Sequence, residues 1–495
     1  MLPILISLYV DVTLNKYLIT LIFLFGTITS IANYNVLFII SDDLTYTALS
    51  CYGNTVCETP NIDRLAEKGV RFTRAYCQGT YCGPSRASFM SGYYPHATGA
   101  LGYKNPRPQI GHRQTWSQLF KDNGYWTGRV SKIYHMGVPG GIEEGGHGAD
   151  DELSWIERYN SPGPEWAALG DFETLENNPE GKKPAVGGNT FVVVEADGDD
   201  YVHSDGKTAR KAVELIQQFD KINGPRKGER FWLGVGFVRP HVPLVAPATY
   251  FLPFKPYQKM VLPPKIPGDW DDIPTPGINY KTSQGMEMDI RRQKKLLGGY
   301  YASVAYLDAQ VRKVLDALEE AGLEDETIII FTSDHGYHLG EHDFWSKVSL
   351  RDPSAGVPLI IKVPGKNPAV CNSLTELIDL YPTTAKLCGL DVPTGNQGKD
   401  ISTMLDDPTI EVRNAAFSVA PMRKGFLLRT HQYSYIQYGE DASGGVELFD
   451  IQGDPKQYYN LAKRPEYKFL ADTFKKRMAV NLTHVRTNDL ELSYD

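Results

Sequence analysis

Four runs of nearly uninterrupted apolar residues, rich in β-branched and aromatic types, punctuate the chain at residues 35–41, 231–237, 327–332 and 358–363. A strand buried on both faces needs apolar side chains at every position, so these runs predict buried strands. Between them, apolar positions recur at helical spacing. Residues 61–69 place Ile62, Leu65 and Ala66 on one face, and residues 294–322 carry Val304, Leu307, Val311, Val314, Leu315 and Leu318 after an expected break at Gly298-Gly299. Buried strands alternating with helices predict an α/β fold with a large, mainly parallel sheet between helices.

The pattern changes elsewhere. Residues 138–200 are rich in Gly, Pro, Glu and Asp with weak periodicity, and read as a long insertion over the site, a candidate lid. Residues 252–280 are Pro-rich and read as irregular. After residue 410, short strands at 425–429 and 433–438 and a helix at 465–480 predict a smaller C-terminal α+β subdomain. At the start, Lys16, the apolar stretch 18–25 and Ser30-Ile31-Ala32 form a signal-peptide pattern with cleavage after Ala32, hence export: periplasmic, secreted or lysosomal according to host. That stretch is too short and too interrupted for a stable membrane span. The expected organisation is a signal peptide over 1–32, a catalytic domain over 33–408 and a C-terminal subdomain over 409–495.

At 495 residues the chain exceeds one small core, and 42% hydrophobic with 22% charged residues is ordinary globular composition. A net charge of −8 argues against a nucleic-acid partner while leaving room for a local basic pocket. The six cysteines form no Cys-x-x-Cys pair; Cys51 with Cys57 is a candidate short disulfide in an exported chain, and Asn481-Leu482-Thr483 is a glycosylation sequon.

Three of the predicted strands end in Asp42-Asp43, Pro240-His241 and Asp334-His335. Ligands in open α/β sheets collect beyond the C-terminal strand ends. Carboxylates gathered there repel one another unless a cation lies between them, and hard oxygen donors favour Ca²⁺ or Mg²⁺ over zinc. The competing reading of Asp42-Asp43 is a helix cap or turn. The stretch Cys82-Gly83-Pro84-Ser85-Arg86, closed by Met90 and Gly92, is the other concentration of chemistry, its alternative being an inert thiol. Lys132, His135, His241 and Lys347 add candidate cationic and proton-transferring groups, each of which alone reads as a solvated lysine or a structural histidine. Lys132 and His135 reach one point if their segment is helix-like. His338 and His342 follow Asp334-His335 without an assigned role.

These motifs resemble the sulfatase family along most of the mature chain. Ser41-Asp42-Asp43, Cys82 to Arg86, Pro240-His241, residues 332–336, residues 376–383 and Glu447-Leu448-Phe449-Asp450 occur in family order, and residues 335–347 are most similar to the iduronate-2-sulfatase branch. The resemblance implies an alkaline-phosphatase-like core. It implies that a formylglycine-generating enzyme or maturase converts Cys82 to formylglycine, whose hydrate attacks sulfur. It further implies one Ca²⁺ held by Asp42, Asp43, Asp334, His335 and modified Cys82, and sulfate held by Arg86, Lys132 and Lys347. His135 would assist the gem-diol and His241 the leaving group. The expected activity is hydrolysis of O-sulfate esters on a sulfated oligo- or polysaccharide. The alternatives are a phosphonate or phosphate monoester hydrolase and a noncatalytic sulfated-glycan binding protein with unmodified Cys82. Residues 138–200 match the family poorly, which leaves the sugar open.

Overall fold

The computed structural model describes residues 34–176 and 189–490, and the described residues from Tyr34 onward form one compact unit. The expected signal peptide, residues 1–32, lies outside the described residues. Among the described residues, nine strands build the central sheet: β1 Asn35–Asp42, β2 Val70–Tyr76, β3 Trp126–Ser131, β4 Glu157–Tyr159, β5 Phe231–Pro240, β6 Thr327–Ser333, β7 Gly356–Lys362, β8 Ala369–Cys371 and β9 Thr375–Glu376. Their order is β8-β2-β7-β6-β1-β5-β3-β4, with β9 also paired to β2. Only β7 runs against the others, antiparallel to both β2 and β6. The apolar run at 358–363 is thus a buried strand of opposite direction; burial on both faces gives parallel and antiparallel strands the same sequence signature.

The central strand shows why its sequence is apolar throughout. All eight residues of β1 are buried. Leu37 and Ile39 face one core, shared with Ile62 and Leu65 of α1 (Pro60–Lys68), Ala209 and Ala212 of α3 (Ser204–Gln218), and Leu307 and Val311 of α4 (Ile290–Glu320). Val36, Phe38 and Ile40 face a second core with Phe89 and Met90 of α2 (Cys82–Ser91) and Tyr381 of α5 (Leu380–Leu387). The period of two thus divides one strand between two helical layers, each buried Leu, Ile or Phe contributing about 1.5–3 kcal/mol.

Three expectations change. Helix α4 runs unbroken through Gly298-Gly299. Those glycines serve close packing: a Cβ on Gly298 would stand 2.5 Å from the Tyr257 ring, and one on Gly299 2.8 Å from Val193. Residues 138–200 carry β4 on the sheet edge, and strands Gly170–Thr174 and Val192–Ala196, which join Leu244–Pro247 in a small three-stranded sheet. Cys51 and Cys57 form no disulfide, all six cysteines being free thiols. Residues 248–277 contain short 3-10 turns, in keeping with the irregular reading.

Near the C-terminus, strands Ala416–Ala420, Gly425–Arg429, Tyr433–Tyr438 and Val446–Asp450 form an antiparallel sheet in sequence order. Helix α6 (Lys468–Arg486) covers it through Phe474 and Met478, in one cluster with Tyr435 and Leu448. Asn481 lies inside α6 with its amide nitrogen buried, so the sequon is not presented on a loop. No helix among the described residues is long and apolar enough to cross a membrane.

Candidate active site

Strands β6, β1, β5 and β3 are adjacent and parallel, so their C-terminal ends share one edge of the sheet. Asp42 ends β1, Lys132 follows β3, His241 follows β5, and Asp334 and His335 follow β6. Asp43 takes a left-handed φ of 64°, which short polar side chains tolerate, as the chain turns out of β1. Its backbone N–H donates to Asp334 Oδ1 at 3.2 Å, and its carbonyl accepts from Tyr300 at 2.6 Å, so the turn is held from both sides.

Cys82 is the first residue of α2 and is fully buried. Its Sγ lies 3.3 Å from Lys347 Nζ, 3.4 Å from His335 Nε2 and 3.8 Å from Asp43 Oδ1. The spacer at position 83 has to be small. A Cβ there would stand 2.3 Å from the Gly102 carbonyl oxygen, because the Gly102-Tyr103 backbone crosses the start of the helix. One helical turn on, buried Arg86 donates from Nε to Asp334 Oδ2 at 2.8 Å, from one terminal nitrogen to Asp42 Oδ1 at 3.1 Å, and from the other to the carbonyls of Ile133 (2.9 Å) and Lys132. Four of the five guanidinium N–H groups are thereby committed to the strand ends.

The two lysines complete the pairing of the carboxylates. Lys132 Nζ donates to Asp42 Oδ2, and Lys347 Nζ donates to Asp43 at 2.8 and 3.0 Å. Burial opposes charge on both carboxylates, but Lys132, His241, Arg86 and Lys347 hold Asp42, and His241, Lys347 and His335 hold Asp43, well below the usual carboxylate range. Burial likewise opposes charge on Lys347, and Asp43 carries it well above the ordinary ammonium value. Burial pushes the Cys82 thiol up. His335 is carried upward against burial by Asp334 and Asp43, the signature of a carboxylate cluster drawing in positive charge.

Both remaining histidines are kept neutral, chiefly by burial: His241 falls to about 3 and His135 to about 2. His241 Nδ1 donates to the Val242 carbonyl at 2.5 Å, leaving Nε2 to accept from Lys347 at 3.1 Å. His135 lies beside the cluster. Its ring stacks on Tyr103 with centroids 4.0 Å apart, and its Nδ1 is buried without a partner. Residues 132–135 are not helical, so Lys132 and His135 are brought to the site by separate contacts rather than by one helix face.

Nine of the ten sequence candidates therefore join in one contact network, with His135 at its edge. His342 stands outside it, held at 3.0 Å by Asp269 and 2.9 Å by the Lys456 carbonyl, and His338 is buried against Phe344. Sequence reasoning missed Tyr103 and Tyr280. Tyr103 is 51% exposed and packs edge-on to Tyr81, and Tyr280 bonds Ser346 at 2.7 Å beside Lys347. Neither belongs to a motif; only the turn at Gly102 hints at Tyr103.

Two overlapping groups, Asp42, Cys82, Asp334 and His335, and Asp42, Asp43, Cys82 and His241, each bring their donor atoms within 4.8 Å of one another. Each group holds two carboxylates, and the two together hold three, a donor set that fits a hard dication.

The Sulfatase family matches residues 34–390, and the family described as N-sulphoglucosamine sulphohydrolase, C-terminal, matches residues 340–484. Iduronate 2-sulfatase of Homo sapiens is 32% identical over 403 residues, covering 72% of this chain and 70% of its own. A phosphonate monoester hydrolase from Silicibacter pomeroyi superposes with a TM-score of 0.72 at 22% identity over 92% of this chain and 96% of its own. A protein solved with its substrate D-glucosamine-2-N,6-O-disulfate superposes with a TM-score of 0.69 at 19% identity over 92% of this chain and 99% of its own. Both structures share the fold.

Proposed function

The chain belongs to the sulfatase family and is a sulfuric ester hydrolase, and from that premise we propose that it removes O-sulfate from a sulfated glycan, in the manner of an iduronate-2-sulfatase. In this reading Cys82 is converted to formylglycine and one Ca²⁺ is held by Asp42, Asp43, Asp334 and His335. The observation that carries it is the convergence of Lys347, His335 and Asp43 within 3.3–3.8 Å of Cys82 Sγ at the start of a buried helix. The glycan is favoured by the saccharide named with one structural neighbour and by the similarity to iduronate 2-sulfatase.

When present, formylglycine supplies the oxygen nucleophile and Ca²⁺ supplies Lewis acidity toward sulfate oxygens. The chain's own groups do the rest. Arg86 fixes Asp42 and Asp334, and the ammonium groups of Lys132 and Lys347 meet the charge that develops on nonbridging oxygens. Lys347 donates to His241 Nε2 at 3.1 Å, and to this pair we assign the proton supplied to the departing sugar oxygen. To neutral His135, whose buried Nδ1 has no hydrogen-bond partner, we assign the proton taken from the nucleophile. We assign residues 1–32 to an export signal, 33–408 to the catalytic domain and 409–495 to the C-terminal subdomain.

The test is peptide mass spectrometry across residue 82 in protein made with a maturase, followed by turnover of aryl sulfate against aryl phosphonate. Conversion lowers the peptide mass by roughly 18 Da. A residue 82 that remains a thiol, or a preference for phosphonate, overturns the reading.

A further inference from the structure

The donor set around Cys82 changes chemical character with the state of that one residue. With an oxygen at position 82 the site offers oxygens and one imidazole, which suits Ca²⁺. With sulfur there, the same atoms form a Cys, His, Asp, Asp set of the kind that binds zinc. We infer that, while Cys82 is a thiol, this pocket is a zinc site, and that replacing sulfur by oxygen is what makes it a calcium site. The second half rests on the reading of Cys82 as the convertible residue; the first does not.

The distances carry the inference. Cys82 Sγ to His335 Nε2 is 3.4 Å, His335 Nε2 to Asp43 Oδ1 is 3.2 Å, and Cys82 Sγ to Asp43 Oδ1 is 3.8 Å. Zinc bond lengths in a tetrahedron give edges of roughly 3.6 Å for sulfur to nitrogen or oxygen and roughly 3.4 Å for nitrogen to oxygen. The three donors already stand close to those separations. The fourth comes from Asp334 or Asp42, each of which has an oxygen within 4.8 Å of both Cys82 Sγ and the His335 ring nitrogen. The imidazole is set for the purpose: its Nδ1 donates to the Gly336 carbonyl at 2.9 Å, which turns the Nε2 lone pair toward the other donors.

Charge agrees. Arg86, Lys132 and Lys347 already match the three carboxylates. A dication therefore brings positive charge in excess, and a thiolate offsets part of it. Binding takes two protons, the thiol proton and the Nε2 proton that the carboxylates favour on His335, and both leave to solvent as the zinc–sulfur and zinc–nitrogen bonds form. Lys347, bonded to both Asp43 oxygens, gives up its 3.3 Å contact to sulfur.

The experiment uses the chain produced without a maturase, its thiol at residue 82 confirmed by mass, stripped by chelator and titrated with Co²⁺ as a stand-in for Zn²⁺. Thiolate-to-cobalt absorption is expected. One equivalent of Zn²⁺ should discharge it, and about a 100-fold excess of Ca²⁺ should not. X-ray absorption of the zinc form should show sulfur at about 2.3 Å. The converted protein, with the same fold and no sulfur at 82, and the Cys82→Ser variant should both lack the band, and His335→Gln should weaken binding at least about 10-fold. Absence of the band, or an equal band in the converted protein, overturns the inference. The two readings fail separately. A band in a chain that no maturase converts sinks the formylglycine reading alone, and conversion without a band in the thiol form sinks the zinc site alone.

Discussion

Replacing Arg86 tests whether its guanidinium is what allows three carboxylates to be buried together. The side chain is fully buried and engages Asp334 and Asp42 at 2.8 and 3.1 Å. In Arg86→Gln, Asp42 keeps Lys132, while Asp334 keeps the backbone N–H groups of Asp43 and His335 and the more distant His335 imidazole at 3.7 Å. Removing one partner of a buried pair costs about 3–5 kcal/mol. At roughly 2.1 cal/mol/K per residue, a chain of this length unfolds with an entropy on the order of 1 kcal/mol/K, so Tm should fall by about 3–5 °C. Calorimetry on chelator-stripped protein reads this directly. The cause is isolated by a cycle with Asp334→Asn, which removes the orphaned charge; the double variant should recover about 1–3 kcal/mol relative to additivity. A Tm loss below about 1 °C, or strict additivity, refutes the argument.

Three further outcomes follow from other parts of the structure. Lys347→Met should lower kcat on an aryl sulfate by about 10²–10³-fold, measured per mole of converted residue 82, because the variant loses a fixed cation beside the nucleophile. Burial lowers His96 to about 4 from an ordinary 6.5, so the unfolded chain binds more protons below 6.5. Stability should therefore fall as pH drops through that window, by about 2 kcal/mol near pH 5, and His96→Phe should remove the loss in urea titrations at pH 7.5 and 5. Gly298→Ala should destabilise the protein to thermal unfolding despite about 1 kcal/mol gained in helix propensity, because the new Cβ meets the Tyr257 ring at 2.5 Å.

Three of the four strands that carry the site, β1, β5 and β6, were legible because they are buried on both faces and write an unbroken apolar run, as in β1. Strands β2 and β3 were not, since Arg71, Thr73 and Arg74 interrupt the first and Arg129 the second, the latter neutralised by Asp150 at 2.8 Å. A partner distant in sequence makes a buried charge look like a surface one. The same limit hid the packing role of Gly298-Gly299, which depends on Tyr257 and Val193. The site residues were legible as motifs at strand ends, whereas Tyr103 reaches His135 only through the crossing of its loop over α2.

That crossing sets an order of events. With the Gly102 carbonyl pressed against Gly83 and Cys82 sealed from solvent, the folded chain exposes no extended peptide around residue 82 for an oxidising enzyme to grip. On the proposed reading, conversion therefore belongs to the interval before the loop closes, during synthesis or translocation. A molecule that folds first keeps its thiol for life. The specific activity of any preparation then reports the outcome of a race between folding and modification, and slowing folding or supplying more maturase during expression should raise it, while treating the finished protein should not.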